Sequence, residues 1–317
     1  MAKRNCVGVI GLGRMGNPVA QRFIGAKMPL MVWDVSKDRR GPFEDTEGVT
    51  IATPREIGEA CAVVFFVVPS SEEIAACFKG KDGLLKNPRK GLVVYDLTTS
   101  DPAKTKRLAR RAERAGLGYL DAGMSGGPGN ILEGKLTLII GGDEALLKRT
   151  RRYLKPFVEH TFHLGALGSG HTMKLIHNMV LHTMFLATCE GARLVERLGM
   201  RVEDMIDVFN ASAAYSYASR HRFPNNILSG TWNGQARIYN LQKDVGLAVG
   251  IGRKRGADIQ LAEHTLSFLR KAVERGMIEE DLTLLYRDFD EIQKMDAPEQ
   301  PKDGPIPFGM RFDALDP

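Results

Sequence analysis

Short apolar runs alternate with charged, amphipathic stretches along the first half of the chain. The apolar runs lie at residues 6–10, 30–33, 62–68, 92–95, 118–120 and 136–140. Between them, segments such as residues 18–26 and 103–115 carry the pattern of helices. Continuously apolar strands separated by helices are typical of a parallel sheet covered on both faces. The pattern therefore predicts a doubly wound α/β domain.

The pattern changes after about residue 164, where helical spacing replaces the strand-like runs. Residues 165–170 are rich in glycine, and residues 171–198 then follow as one long helix with apolar positions at helical spacing. Further helices are predicted at residues 202–210, 241–250, 261–274 and 282–294. We predict an α/β domain over residues 1–165, an all-helical domain over 166–294, and an irregular, proline-containing tail over 295–317.

The composition is that of a soluble globular protein. No run of about 18 apolar residues is present, and the first residues lack the apolar stretch of a signal peptide. We therefore expect a cytoplasmic protein that contacts no membrane. The net charge of +6 favours anionic ligands, but the basic residues are dispersed and do not predict nucleic-acid binding.

A glycine-rich loop connects the first predicted strand to the first predicted helix. It has the spacing G-x-G-x-x-G and consists of Gly11, Leu12, Gly13, Arg14, Met15 and Gly16. Between a strand and a helix, these glycines permit a tight turn, close approach of a pyrophosphate, and packing of the helix on the strand. The phosphates would then bind at the helix N-terminus. The loop predicts a dinucleotide site and, with it, a Rossmann-type sheet.

Asp34 stands at the end of the second predicted strand, 18 residues after Gly16. A carboxylate at this place accepts hydrogen bonds from the adenosine ribose and repels the 2′-phosphate of NADP. Lys37, Arg39 and Arg40 follow closely and would soften that repulsion. The sequence therefore favours NAD as the cofactor, with NADP as the alternative.

Two polar residues share one face of the long predicted helix. Lys174 and Asn178 are four positions apart, which places them on successive turns. A lysine desolvated in a cleft has a lowered pKa and can exchange protons near neutrality. Asn178 could orient either a substrate hydroxyl or the lysine. The alternative for a single lysine is an ordinary solvated position on the helix.

A second segment that suits ligand binding follows the predicted strand at residues 118–120. Ser125, Gly126 and Gly127 combine a hydroxyl with consecutive glycines, whose exposed N–H groups suit a carboxylate. This segment follows the carboxyl end of a strand, where ligands bind in open α/β sheets. The alternative is a flexible turn.

Four motifs in order give the chain its resemblance to a known family. They occupy residues 11–16, 121–127, 168–178 and 243–244. In this order and spacing, the chain resembles the β-hydroxyacid dehydrogenases of the 3-hydroxyisobutyrate dehydrogenase-like kind, which are related to the 6-phosphogluconate dehydrogenases. The resemblance implies a Rossmann-type domain, a long linking helix and an all-helical domain, with the active site between the domains.

The resemblance also implies roles for individual residues. Lys174 would be the general acid/base and Asn178 its assistant, while Ser125, Gly126 and Gly127 would hold the substrate carboxylate. The remaining residues expected to bind substrate are Thr99, Arg237 and Asp244, and the remaining ones expected to bind cofactor are Val68, Pro69, Thr99 and Lys243. Ala236 stands where many relatives carry an aromatic residue, so Arg237 beside it could bind a second anionic group. For Lys243 and Asp244, an ordinary surface charge pair is the alternative.

Five histidines lie close together in the sequence without the spacing or the accompanying carboxylate of a metal site. They are His160, His163, His171, His177 and His182. We expect no metal. The leading hypothesis is an NAD-dependent oxidoreductase that interconverts a small β-hydroxyacid and its semialdehyde or β-keto acid, working as a homodimer or homotetramer. The alternatives are a sugar-acid dehydrogenase resembling those for 6-phosphogluconate, and a non-catalytic dinucleotide-binding protein.

Overall fold

The computed structural model describes residues 6–296, and its first half is built on one eight-stranded sheet. The strands are β1 (Val7–Ile10), β2 (Leu30–Trp33), β3 (Val49–Ile51), β4 (Val63–Phe66), β5 (Val93–Asp96), β6 (Gly118–Ser125), β7 (Leu136–Gly141) and β8 (Val158–His163). Their order across the sheet is β3-β2-β1-β4-β5-β6-β7-β8. The first six follow the strand order of a Rossmann fold and are parallel. The predicted doubly wound sheet is confirmed.

One strand runs against the predicted direction. β7 is antiparallel to β6, with Ser125 opposite Thr137. The connection between the two strands spans only residues 126–135, which is shorter than the dozen or more residues that a parallel crossover needs. The apolar character of residues 136–140 indicates that the strand is buried. The same pattern carries no information about the direction of the strand. β8 is again parallel to β7.

Seven helices accompany these strands in the sequence. They are α1 (Gly16–Gly25), α2 (Lys37–Arg40), α3 (Pro54–Ala60), α4 (Ser71–Cys77), α5 (Pro102–Arg114), α6 (Pro128–Leu132) and α7 (Glu144–Thr150). β4 illustrates how both faces of the sheet are covered. Val63 and Phe65 belong to one apolar cluster, whereas Val64 and Phe66 belong to another. Because successive side chains of a strand point to opposite faces, each face has its own core.

The rest of the described chain is helical, as predicted. The helices are α8 (Ser169–Arg197), α9 (Val202–Ala211), α10 (Ile238–Lys254), α11 (Gln260–Glu274), α12 (Leu284–Arg287) and α13 (Phe289–Gln293). A π-helical segment, Ala218–Ile227, lies between α9 and α10. The prediction of a single helix over residues 282–294 was wrong, because the helix is interrupted at Asp288. The Asp288 carboxylate binds the side chain of Arg287, and aspartate is a poor residue for a helix interior.

The described chain forms two compact units. The first comprises residues 6–185 with Tyr239–Leu266, and the second comprises Leu186–Ile238 with residues 267–296. Because compact units need not coincide with sequence domains, the domain limits at residues 165 and 294 stay predictions. Most of the predicted tail, from residue 297 onward, lies outside the described residues. Over residues 6–296, no helix combines the length and apolar character needed to cross a membrane.

Candidate active site

The glycine loop between β1 and α1 requires glycine at its two ends. Gly11 has a positive φ of 97°, and a Cβ atom there would collide with the Val67 carbonyl oxygen. A Cβ atom on Gly16 would collide with the carbonyl oxygen of Gly11. Gly13 differs, because the nearest heavy atom to an added Cβ would be Arg39 Nη1, 3.7 Å away. The open side of the loop therefore lies at Gly13, where a pyrophosphate could approach the backbone.

The N-terminus of α1 is suited to bind an anion. Met15 precedes the helix and provides no side-chain cap for the first N–H groups. The Asn17 N–H donates to the Gly13 carbonyl oxygen and Pro18 has no N–H, so the helix dipole and the remaining backbone donors favour phosphate at this position. The loop and this helix end therefore fit the pyrophosphate of a dinucleotide.

Asp34 follows β2 and is 5% exposed. Its Oδ2 accepts the Leu12 N–H at 2.7 Å, and its Oδ1 accepts the Ser36 N–H at 2.9 Å. Arg39 Nη1 lies 3.7 Å from Oδ2. The carboxylate therefore stands beside the glycine loop, fixed in place by backbone donors and accompanied by one guanidinium group.

The segments after β4 and β5 lie beside the loop at the carboxyl edge of the sheet. Val68 and Pro69 follow β4, and Thr99 follows β5. The N–H and hydroxyl of Thr98 both donate to Asp96 Oδ1, at 3.0 and 2.5 Å, which holds the turn after β5 in place. The Thr99 carbonyl oxygen accepts a hydrogen bond from Lys243 Nζ at 2.8 Å. The structure thus joins two residues that are 144 positions apart in the sequence.

The segment predicted to hold a carboxylate extends the carboxyl edge at β6. Asp121 of β6 pairs with Asp96, the last residue of β5, so β6 continues four residues beyond its neighbour to Ser125. Gly126 and Gly127 follow directly. The Gly127 N–H donates to Asn130 Oδ1 at 3.0 Å, so this amide has a partner within the turn. The role of the three residues in carboxylate binding stays a prediction.

Asp121 anchors the first turn of α8 to the sheet. It is fully buried, and its two carboxylate oxygens accept the N–H groups of Gly168 at 2.6 Å and His171 at 2.8 Å. Aspartate satisfies unpaired N–H groups at a helix start and interacts favourably with the helix dipole. Sequence reasoning assigned no such role to Asp121, because its partners lie 47 and 50 residues away.

His171 fixes the same turn from the other side. Its side chain is fully buried, and Nε2 donates to the Asp96 carbonyl oxygen at 3.1 Å. Its Nδ1 lies 2.8 Å from the Thr105 hydroxyl of α5. Gly123 of β6 then allows α8 to lie close, since a Cβ atom there would be 2.5 Å from Lys174 Cβ. These contacts set the position of Lys174, one turn further along the helix.

Lys174 and Asn178 occupy the buried face of α8, as their spacing predicts, and each is 8% exposed. Burial lowers the pKa of Lys174 from 10.5 to about 8, and the negative charge of Asp244 opposes this shift. The Asn178 Nδ2 group donates to Asp244 Oδ2 at 2.7 Å. Lys174 therefore combines a proton affinity near neutrality with a neighbouring amide that is itself held in place.

Helix α10 brings Lys243 and Asp244 into the same cluster. Asp244 is 5% exposed, and its Oδ1 lies 3.2 Å from Lys243 Nζ. Lys243 also donates to Thr99, so the pair connects the turn after β5 with Asn178 of α8. Asp244 is thus buried and Lys243 half-buried beside other predicted site residues, and the roles of the pair in binding substrate and cofactor stay predictions.

His177 is a member of this cluster that sequence reasoning did not select. Its Nδ1 lies 3.0 Å from Asn178 Oδ1 and 3.5 Å from Lys174 Nζ. Burial and the positive charge of Lys174 lower the pKa of His177 below 6.5. The helical spacing of residues 174, 177 and 178 could have identified it, because all three share one face.

Arg237 belongs to the second compact unit. Its Nη1 donates to Glu279 Oε2 at 2.6 Å. Its expected role in binding an anionic group of the substrate stays a prediction. Across residues 6–296, no three or more His, Cys, Asp or Glu side chains are grouped so that they could hold a metal ion.

The fold and the cluster define the class of protein. A Rossmann-type sheet with a glycine loop and a carboxylate after its second strand is typical of proteins that bind a nicotinamide dinucleotide. A buried lysine of lowered pKa suits the acid/base chemistry of hydride transfer to or from a CH–OH group, and this role of Lys174 stays a prediction. The chain is thus an NAD(P)-dependent oxidoreductase.

Comparison with known families gives the finer classification. The family described as the NAD binding domain of 6-phosphogluconate dehydrogenase matches residues 6–165. The family described as NAD-binding of NADP-dependent 3-hydroxyisobutyrate dehydrogenase matches residues 168–289. The chain belongs to the β-hydroxyacid dehydrogenase family, which confirms the resemblance of its motifs.

Individual relatives cover nearly the whole chain. The mitochondrial 3-hydroxyisobutyrate dehydrogenase of Homo sapiens is 28% identical over 90% of this chain and 87% of its own length. The NAD-dependent L-serine dehydrogenase of Pseudomonas aeruginosa is 25% identical over 90% of this chain and 98% of its own. Among solved structures, the Mycobacterium tuberculosis 3-hydroxyisobutyrate dehydrogenase with L-serine has a TM-score of 0.80 and 26% identity, covering 90% and 99% of the two chains.

Proposed function

We propose that this protein interconverts a small β-hydroxyacid and its semialdehyde or β-keto acid, with Lys174 as the general acid/base. The observation that carries the proposal is the buried Lys174 ammonium group, whose pKa of about 8 is set by burial against the charge of Asp244. The names of the relatives support the substrate class, since 3-hydroxyisobutyrate and L-serine are both carboxylates with a β-hydroxyl group. The substrate of this chain is expected to share that arrangement.

Proton transfer follows from the state of Lys174. In the oxidative direction, neutral Nζ accepts the hydroxyl proton, and in the reductive direction the ammonium group returns it. At pH 8 about half of a lysine with a pKa of about 8 is neutral, against about 0.3% at the ordinary pKa of 10.5. Asn178, held by Asp244, would orient the substrate hydroxyl toward Nζ.

The cofactor would be held by the glycine loop, the start of α1 and Asp34. The nicotinamide ring, when bound, supplies the acceptor or donor of hydride. Val68, Pro69, Thr99 and Lys243 would line its site, and Ser125, Gly126 and Gly127 would bind the substrate carboxylate. We propose NAD as the preferred cofactor, since the buried Asp34 carboxylate disfavours a 2′-phosphate.

Replacement of Lys174 by methionine tests the proposal. We expect Lys174→Met to lower kcat about 10³-fold, because general acid–base catalysis contributes roughly 10²–10⁴-fold. Cofactor affinity, measured by calorimetry, should stay within twofold. The matched control is Lys148→Met, which removes an exposed lysine paired with Glu144. Turnover of Lys174→Met at the rate of the control would refute the role of Lys174.

A substrate panel separates this proposal from its alternatives. We expect 3-hydroxyisobutyrate or L-serine to be oxidised with a higher kcat/KM than 6-phosphogluconate. The reverse order would favour the sugar-acid dehydrogenase alternative, and cofactor binding without turnover of any hydroxyacid would favour the non-catalytic one. Assembly as a homodimer or homotetramer and location in the cytoplasm stay predictions, and sedimentation would decide the first.

A further inference from the structure

His177 contacts the proposed acid/base Lys174 and is more exposed to solvent than that lysine. Lys174 and Asn178 are each 8% exposed, whereas the imidazole of His177 is only half-buried. The ring nitrogen Nδ1 lies 3.5 Å from Lys174 Nζ and 3.0 Å from Asn178 Oδ1. The first distance is at the outer limit of a hydrogen bond, and such contacts commonly shorten when substrate binds.

The neighbours of Asn178 determine which atom faces His177. The carboxylate of Asp244 only accepts hydrogen bonds, so the amide nitrogen Nδ2 must face it, at 2.7 Å. The carbonyl oxygen Oδ1 is therefore left facing the imidazole, where it too can only accept. The Nδ1 atom therefore faces both the carbonyl oxygen of Asn178, which accepts hydrogen bonds, and the amine of Lys174.

A single Nδ1 atom cannot donate to Asn178 and accept from Lys174 at the same time. When Nδ1 carries a proton, it donates to Asn178 Oδ1 and the charged lysine cannot donate to it. When Nδ1 is bare, it accepts from the Lys174 ammonium group and the ring proton is on Nε2. The tautomer of His177 is therefore coupled to the protonation state of Lys174.

We propose that His177 is a positioning and relay residue that passes protons between Lys174 and water. The inference rests on the proposed role of Lys174. In the oxidative direction, Lys174 Nζ transfers the proton taken from the alcohol to Nδ1, and Nε2 releases its own proton to water. One proton enters the ring and one leaves it, the lysine returns to its neutral form, and the Nδ1–H tautomer is stabilised by Asn178. Between turnovers, exchange with water restores the other tautomer.

The charges around His177 keep the ring neutral between transfers. Burial and the positive charge of Lys174 on the same helix lower the pKa of His177, while the charged pair on the neighbouring helix α10 consists of Lys243 and Asp244. Because the imidazole has the lower pKa of the two bases, a proton resides on Lys174 and occupies the ring only briefly. A relay requires that the pKa of His177 be below that of Lys174, because a ring that kept the proton on Nδ1 could not accept another from the lysine.

The first test measures the coupling without cofactor or turnover. The His177 imidazole is titrated by NMR in the histidine-labelled protein, with His177→Asn used to assign its signals. In Lys174→Met, loss of the neighbouring positive charge should raise the pKa of His177. An unchanged titration would contradict contact between the two side chains.

The second test measures the relay itself. His177→Asn and His177→Ala should lower kcat at least tenfold at limiting buffer concentration, with KM within twofold and an increased solvent isotope effect. Added imidazole should restore kcat to His177→Ala in proportion to its concentration, whereas a merely structural role would give no such rescue. The control His160→Asn changes an exposed histidine on β8 and should match the wild type.

The outcomes distinguish the relay from the proposed function. If Lys174→Met remains fully active, the proposed function fails. If Lys174→Met is inactive but the His177 variants turn over at the wild-type rate, only the relay is refuted. A loss of kcat in His177→Ala that imidazole does not restore, with an unchanged isotope effect, would also refute the relay.

Discussion

Two groups of buried polar side chains meet the long helix α8 within the first compact unit, one at its first turn and one a turn further on. At the first turn, the Asp121 carboxylate accepts two N–H groups, and His171 is bonded at both ring nitrogens. At the second, the Lys174 ammonium group is buried with one long contact to His177, and Asp244 acts on it only through its charge. The charge of Asp121 is thus compensated by short hydrogen bonds, whereas the charge of Lys174 is not.

Buried polar groups thus serve either the fold or the chemistry of the site. Removing a buried carboxylate that accepts hydrogen bonds leaves its donors unsatisfied, whereas a buried charge with few hydrogen bonds costs free energy and has a shifted pKa. Such a cost is tolerated where the shifted pKa is useful in catalysis. We therefore expect substitutions in the two groups to change stability in opposite directions.

The largest effect is expected from Asp121→Ala. This change leaves two buried N–H groups at the start of α8, those of Gly168 and His171, without an acceptor, and hydrogen bonds to a charged group contribute about 1.5–3 kcal/mol each. We expect a loss of about 4 kcal/mol in the free energy of unfolding, measured by urea denaturation. The matched control is Asp101→Ala, which removes the N-cap of α5 and should cost about 1 kcal/mol. Equal losses in the two variants would contradict the anchoring role.

Lys174→Met should instead stabilise the protein. A pKa lowered from 10.5 to about 8 corresponds to a cost of about 3 kcal/mol for burying the ammonium group below pH 8. Between pH 8 and 10.5 the unfolded chain binds the proton and the native chain does not, so wild-type stability rises with pH. The gain in the variant should therefore be largest below pH 8 and disappear toward pH 10.5. A variant less stable than the wild type at pH 7 would break the contrast with Asp121.

Local spacing predicted part of this cluster, and long-range contacts supplied the rest. Lys174 and Asn178 were predicted because helical spacing is local, whereas their connection to Asp244 spans 66 residues and leaves no trace in any short segment. Strands β3 and β8 were missed for a different reason. They are the two edges of the sheet, and their partly solvated side chains form no apolar run. The interior strands were predicted from their apolar runs, although β6 continues five residues beyond the predicted end at residue 120.

Asp244→Asn tests whether the charge of Asp244 sets the pKa of Lys174. Asparagine can still accept the Asn178 N–H, but the negative charge that raises the pKa of Lys174 is lost. The pKa of Lys174 should therefore fall further. Oxidation needs the neutral amine, so kcat/KM rises with pH through about 8 in the wild type, and this limb should move to lower pH in the variant. In the reductive direction, the decline with rising pH should move the same way, and an unmoved profile would separate Asp244 from Lys174.

The smallest effect is expected from Arg39, whose charge is paired with Asp34 but exposed to solvent. Arg39 lies 3.7 Å from Asp34 and is 57% exposed, so its interaction with that carboxylate is screened by water. Its guanidinium group softens the repulsion of a 2′-phosphate, and Arg39→Ala should therefore raise the preference for NAD over NADP by less than about fivefold. The ratio of kcat/KM for the two cofactors measures this change, which added salt should diminish. Arg55→Ala, which removes a charge paired with Glu59 on α3, should leave the ratio unchanged. If Arg39→Ala weakened the binding of NAD and NADP equally, Arg39 would contact a part that the two cofactors share. Asp34 alone would then set the preference for NAD.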